Sequence, residues 1–216
     1  MARVRTVRSL GVVGLVLAAA VSAGCSGSGS GSSSPSTASS GPVSSSGTPT
    51  AAGASPAPTE SNPPGDIPDN QAYVAFQPSG GGFTVKVPEG WARTGKGGTT
   101  VFTDKLNRVE IATASASAAP TVASVDSQVV SQLRGQVPKF SGAKVSQVNR
   151  HAGSAVLLKY QGDSAADPVT GKVVRDAFER YAFYRQGHEV DLTLSGPVNA
   201  DNVDPWRIVT DSFAWK

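Results

Sequence analysis

The feature that most restricts how this chain can fold is its division into a stretch that cannot build a core and a stretch that can. From Ser26 to Gly65 the residues are almost entirely Ser, Gly, Thr, Pro and Ala, with one charge, Glu60, and no aromatic. Such a segment cannot repay the entropy of ordering it. Residues 25–66 are therefore expected to form a disordered tether, whose roughly 40 residues give an end-to-end distance of about 35 Å. Its Ser and Thr, interspersed with Pro, could accept sugars, as similar stalks do. Residues 67–216 carry nearly all the aromatics and the alternating aliphatics. A chain of that length buries roughly two thirds of its surface and needs no disulfide, so one globular domain is expected there.

The tether is preceded by Arg3, Arg5 and Arg8 and by the apolar run Leu10–Val21. A positive n-region followed by a short apolar h-region is an export signal, too short to span a bilayer comfortably. It ends at Ser22-Ala23-Gly24-Cys25, with the sole cysteine of the chain. The pattern resembles a bacterial lipobox, with Ser22 where Leu is usual. It implies a signal peptide over 1–24 and Cys25 as the diacylated first residue, holding the protein at the outer face of the cytoplasmic membrane. Cleavage before Gly24 by ordinary signal peptidase is the alternative. A thiolate at the membrane edge suits lipid transfer, whereas a lone exported thiol would be a reactive liability. Removing the three arginines from 19 basic residues leaves 16 against 16 acidic ones. A neutral mature chain lacks the basic field that holds phosphate backbones, which sets nucleic acid aside as a partner.

In the domain, "GGFTVKVPEGW" places Phe83, Val85 and Val87 on one side of a strand ended by Pro88-Glu89-Gly90. Runs at Thr99–Thr103 and Arg108–Ala114 continue it as a meander, turning at Asp104–Asn107. Thr121 can cap a helix whose Val122, Val125, Val129, Leu133 and Val137 share a face, with Pro138 as its stop. Period-two runs follow at Lys144–Asn149, Ser154–Gln161, Val173–Arg185 and His188–Ser195, with tight turns at His151-Ala152-Gly153 and Gln186-Gly187. In the third of these Ala177, Tyr181 and Phe183 face one way and Phe178, Ala182 and Tyr184 the other, so it needs cover on both sides. A second helix, with Asp204 and Pro205 at its cap and first turn, supplies Trp206, Val209 and Phe213. The expectation is an α+β fold: an α/β/α sandwich with a mostly antiparallel sheet of about six to seven strands and two main helices.

The lipobox, the Ser/Pro stalk, "FTVKVPEGW", the helix, the long hairpin and the ending "DPWRIVTDSFAWK" together resemble the actinobacterial Lpq-type lipoproteins with a PsbP-like domain. The resemblance covers about 150 residues and implies architecture rather than activity, since members of that group differ in function.

Catalytic signals are sparse. The domain has no cysteine, and its imidazoles are His151 and His188, both at turns. There is no nucleophile elbow, phosphate loop or dinucleotide fingerprint. Asp163 and Asp167 fall short of a calcium ligand set, and neither a metal nor a cofactor is expected. His188–Ser195 alternates Val190, Leu192 and Leu194 with Glu189, Asp191, Thr193 and Ser195. Its polar side is a solvated edge, a face the helices leave uncovered, or the floor of a binding groove. The groove reading makes Glu189, Asp191 and Thr193 the candidate binding residues. The function expected is a non-enzymatic binding or adaptor module anchored through Cys25, its partner another envelope protein, a lipid or a glycan. The alternatives are a carrier with an apolar pocket between sheet and helix, and a hydrolase.

Overall fold

A computed structural model describes residues 63–167 and 169–216; the expected signal peptide, Cys25 and the expected tether up to residue 62 lie outside the described residues. Ten strands form two antiparallel sheets. Strands β3 (Ala92–Lys96), β4 (Thr99–Asp104), β5 (Asn107–Ser115), β6 (Ser141–Arg150), β7 (Gly153–Asp163), β8 (Arg175–Arg185) and β9 (His188–Pro197) make a seven-stranded sheet in the order β3-β4-β5-β9-β8-β7-β6. Strands β1 (Tyr73–Phe76), β2 (Phe83–Pro88) and β10 (Ala214–Trp215) make a small second sheet in the order β1-β2-β10.

The fold is α+β with a helix on each face of the large sheet, as the patterning requires. Helix α1 joins Val122–Ser124, a π turn over Val125–Val129 and Val130–Gln136. Thr121 caps it reciprocally: its Oγ1 accepts from the Ser124 N–H at 3.0 Å, and Ser124 Oγ accepts from the Thr121 N–H at 2.9 Å. The π turn alters the sequence-derived face. The Val130 N–H donates to Val125 O, five residues back, so Val125 and Val130 both turn to the sheet at 2% and 5% exposure, while Val122 is left 39% exposed. Helix α2 (Val203–Asp211) packs on the opposite face. Gly162 is required where α1 closes on β7, because a Cβ there would lie 2.1 Å from Val137 Cγ1.

Two expectations are corrected. "FTVKVP" does not open the meander but leaves it for the small sheet, where β2 pairs with β1 and β10. Phe83, Val85 and Val87 still reach the core, because the small sheet lies with α2 against Val109, Ile111, Leu192 and Leu194. The meander instead begins at β3, whose five residues are all exposed, so no hydrophobic alternation marks it. The cap of α2 is also displaced: Asn202, not Asp204, precedes the helix. Its side chain turns inward, accepting from the Ile67 N–H and donating to Gly65 O and Asn107 Oδ1. Gly196 permits this pairing, since its Cβ would meet Asn107 Oδ1 at 2.4 Å.

The chain is therefore bonded to the domain before Ile67. Gly65 O accepts from both Asn107 and Asn202, and Asp66 Oδ1 accepts from the Asp201 N–H. A chain beginning at Pro63 should melt at the midpoint of the full-length protein. One beginning at Ile67 leaves two amide donors without Gly65 O and should lose roughly 1–3 kcal/mol; thermal denaturation of the two truncations measures the difference.

Candidate functional site

Pairing register lays out the face of the large sheet that α1 covers. Val156, Ala182, Asp191 and Ala112 stand in one row; Leu158, Arg180, Thr193 and Glu110 stand in the next. Helix α1 covers only the β6-β7-β8 side of these rows, where Val125, Val130, Val156, Leu158, Tyr160 and Ala182 form a buried cluster. Across β9, β5 and β4 the same face carries Glu189, Asp191, Thr193, Glu110, Ala112 and Thr99, all half-buried. Strand β9 lies between β5 and β8, so its polar side is not a sheet edge. It is an uncovered face, and Glu189, Asp191 and Thr193 are brought together on it.

Arg180 joins the covered and open halves. It stands on β8 at the margin of the α1 cluster, and its side chain, 15% exposed, reaches over to β9. Nη2 lies 2.5 Å from Asp191 Oδ2 and 3.8 Å from Glu189 Oε1. One guanidinium thus separates two carboxylates that would otherwise repel along the strand. Burial raises the Asp191 pKa above the usual carboxylate range; Arg180 opposes this and Glu189 adds to it. Arg180 Nη1 and Asp191 Oδ1 are buried without a hydrogen-bond partner. A second ion pair, Arg108 with Glu110, lies on β5.

The sequence reading missed Arg180. The available signal was a charge on the second face of a strand whose neighbours Phe178 and Ala182 are apolar. Such a residue needs a partner across the strands.

Other residues singled out in the sequence resolve plainly. Among the described residues, neither His151 nor His188 makes a hydrogen bond to a serine or carboxylate. Asp163 pairs with Lys139 at 2.8 Å and Arg175 at 3.4 Å, and hydrogen bonding to Lys139 lowers its pKa first of all. Asp167 accepts from the Val169 and Thr170 N–H groups and from the Thr170 hydroxyl, so it serves a turn. No group of three His, Cys, Asp or Glu stands ready for a metal among the described residues. Cys25 lies outside them. An open groove of about 620 Å³ runs beneath the first turn of α1, between Ala119, Val122 and Ala123 and the strand residues Gln147, Ser154 and Tyr184.

No protein family model matches the chain, and no curated protein matches it. Among solved structures the similarities are low. A Bacteroides thetaiotaomicron protein is 12% identical with a TM-score of 0.45, over 66% of this chain and 48% of its own, so this chain spans about half its length. The Saccharomyces cerevisiae Ran-binding protein Mog1p is 9% identical with a TM-score of 0.41, over 60% and 79%. LpqN of Mycobacterium tuberculosis, involved in cell envelope biogenesis, is 15% identical with a TM-score of 0.39, over 68% and 92%.

Replacing Glu189 and Asp191 together by Ala leaves the Arg180 guanidinium without its acceptors, and chemical denaturation should show a loss of roughly 1–3 kcal/mol. Replacing Arg180 by Met as well should recover most of it. Asp176 gives a pH test on the same sheet. It is 7% exposed with Oδ1 unpartnered, and burial, followed by the charge of Asp163, raises its pKa to about 6. The folded state therefore holds this proton more tightly than the unfolded chain, and its contribution falls as pH rises from about 4 to 6. Asp176→Asn should match the wild type below about pH 4 and exceed its stability at pH 7 by up to about 3 kcal/mol.

Proposed function

We propose that the protein is a lipid-anchored envelope protein whose domain is a non-enzymatic binding module, with the uncovered β9-β5-β4 face as its binding surface. One observation carries this reading. A single helix covers only part of a seven-stranded sheet, and the remainder, Val101 apart, carries polar, small and oppositely charged residues rather than a hydrophobic seal. Ala112 and Thr193 leave the floor low, while Arg180, Asp191, Glu189 and the Arg108–Glu110 pair ring it with donors and acceptors. A surface of that kind binds through hydrogen bonds and shape rather than through a broad field of one sign.

Anchoring rests on the sequence at Cys25, where two acyl chains would hold the protein firmly, each buried methylene contributing about 0.8 kcal/mol. A carrier function is the second reading, favoured by the groove under α1 with its Ala119, Val122 and Ala123 wall. Its polar Gln147, Ser154 and Tyr184 side suits an amphipathic ligand better than a purely apolar one.

The test uses the natively anchored protein as bait from gently solubilised membranes. Ala112→Arg fills the open face beside Asp191, which can accept its charge. The expected result is that wild type incorporates labelled fatty acid, Cys25→Ser does not, and Ala112→Arg loses components that wild type retains. Identical components on wild type and Ala112→Arg would remove the face from consideration, and absence of label would remove the anchor.

A further inference from the structure

At the β8–β9 turn, on the face of the large sheet that α2 and the small sheet close, lies a cavity that the functional reading does not use. Its volume is about 430 Å³, within the range of roughly 300–1,000 Å³ typical of small-ligand pockets, and Glu189 lines it. One wall is Trp215, held in place from behind: it crosses Phe213 edge-on at a centroid distance of 5.0 Å, and β10 pairs it with Phe83. The loop Gly80-Gly81-Gly82 forms another side. A Cβ on Gly80 or Gly82 would meet nothing within 4 Å, so this side stands clear of the rest of the fold. Ser115, Arg185, Gln186 and His188 also line the cavity. None of these four side chains has a hydrogen-bond partner among the described residues.

This combination is selective. The Trp215 wall offers a flat apolar surface to the C–H face of a ring. The unpartnered side chains include groups that both donate and accept, Ser115, Gln186 and His188. A purely apolar ligand would leave them unpaired, and a small free anion would make no use of the aromatic wall. The charged side chains on this face are Arg185 and Lys216, whose Nζ is held by Gln77 Oε1 at 2.5 Å, because the Glu189 carboxylate turns to the other face toward Arg180. That pair admits a neutral ring or one bearing an acidic group.

We infer that this cavity binds a sugar ring, stacked on Trp215 and held by the polar groups of the β8–β9 turn. The cavity lies on the opposite face of the large sheet from Glu189 and Asp191, so the inference stands apart from the open face and adds a ligand class of its own.

The experiment is a titration of the full-length protein with hexasaccharides of glucose, mannose, galactose, arabinose and galacturonate, read by tryptophan fluorescence and ligand-detected NMR. At least one hexasaccharide should bind saturably and change the emission. Trp215→Leu should abolish the emission change and weaken binding by at least about tenfold, as removal of an aromatic anchor does. Because Trp215 packs on the core, Arg185→Ala with His188→Ala serves as the second variant. Both positions are exposed, so this variant should keep the wild-type melting midpoint and still bind at least about fivefold more weakly. Absence of binding across the panel overturns the inference. So does binding of inorganic phosphate alone with a steep salt dependence, or sugar binding that both variants leave unchanged.

Discussion

Phe213 ties this fold together. Its ring lies between Phe83 of the small sheet, at 5.2 Å, and Phe183 of the large sheet, at 4.2 Å, both stacked. It is 1% exposed and follows α2 directly. One side chain thus holds two sheets and a helix in a fixed relation, with a contribution beyond area burial of roughly 0.5–1.5 kcal/mol per ring pair. Strand β10 is placed on β2 as a consequence, which brings Trp215 to the glycine loop, and the Lys216 N–H donates to Gly82 O at 2.9 Å. The aromatic wall of the end cavity therefore follows from core packing rather than from a loop built for it.

The two faces of the large sheet are finished differently. One is sealed by α2 and the small sheet, which together bury Val109, Ile111, Leu192, Leu194, Tyr181 and Phe183. The other receives only α1, and its remaining width is closed by charge pairing instead of by hydrophobic cover. Arg180 is where one solution gives way to the other: apolar neighbours flank it on β8, and carboxylates meet it from β9. The pairing is incomplete, since Arg180 Nη1 and Asp191 Oδ1 are both buried without a hydrogen-bond partner.

Much of the fold was legible because the relevant signals are local. The strands from β4 to β9, the turns at His151–Gly153 and Gln186-Gly187, the cap at Thr121 and the two-sided cover of β8 all follow from alternation, turn chemistry and side-chain period. The elements missed were those without such a signal: β1 and β10 are short, and β3 is exposed along its whole length. The assignment of β2 to a separate sheet could not be read either, since Phe83, Val85 and Val87 alternate identically whichever sheet they join. The π turn in α1 was equally hidden, because Val129 and Val130 are adjacent and either satisfies a helical face.

By itself the sequence determined the contrast in composition between residues 26–65 and the residues after them, the absence of cysteine from residues 67–216 and the polar alternation that singles out Glu189, Asp191 and Thr193. These are properties of composition and period, which need no partner residue to be defined. Only the tertiary structure decided that this alternation faces an uncovered half-sheet rather than an edge, that Arg180 lies against Asp191 and Glu189, and that Trp215 walls a cavity beside the β8–β9 turn. Each joins residues that are distant along the chain or lie on different strands, and strand order and register place them together, which the pattern along any one strand does not encode.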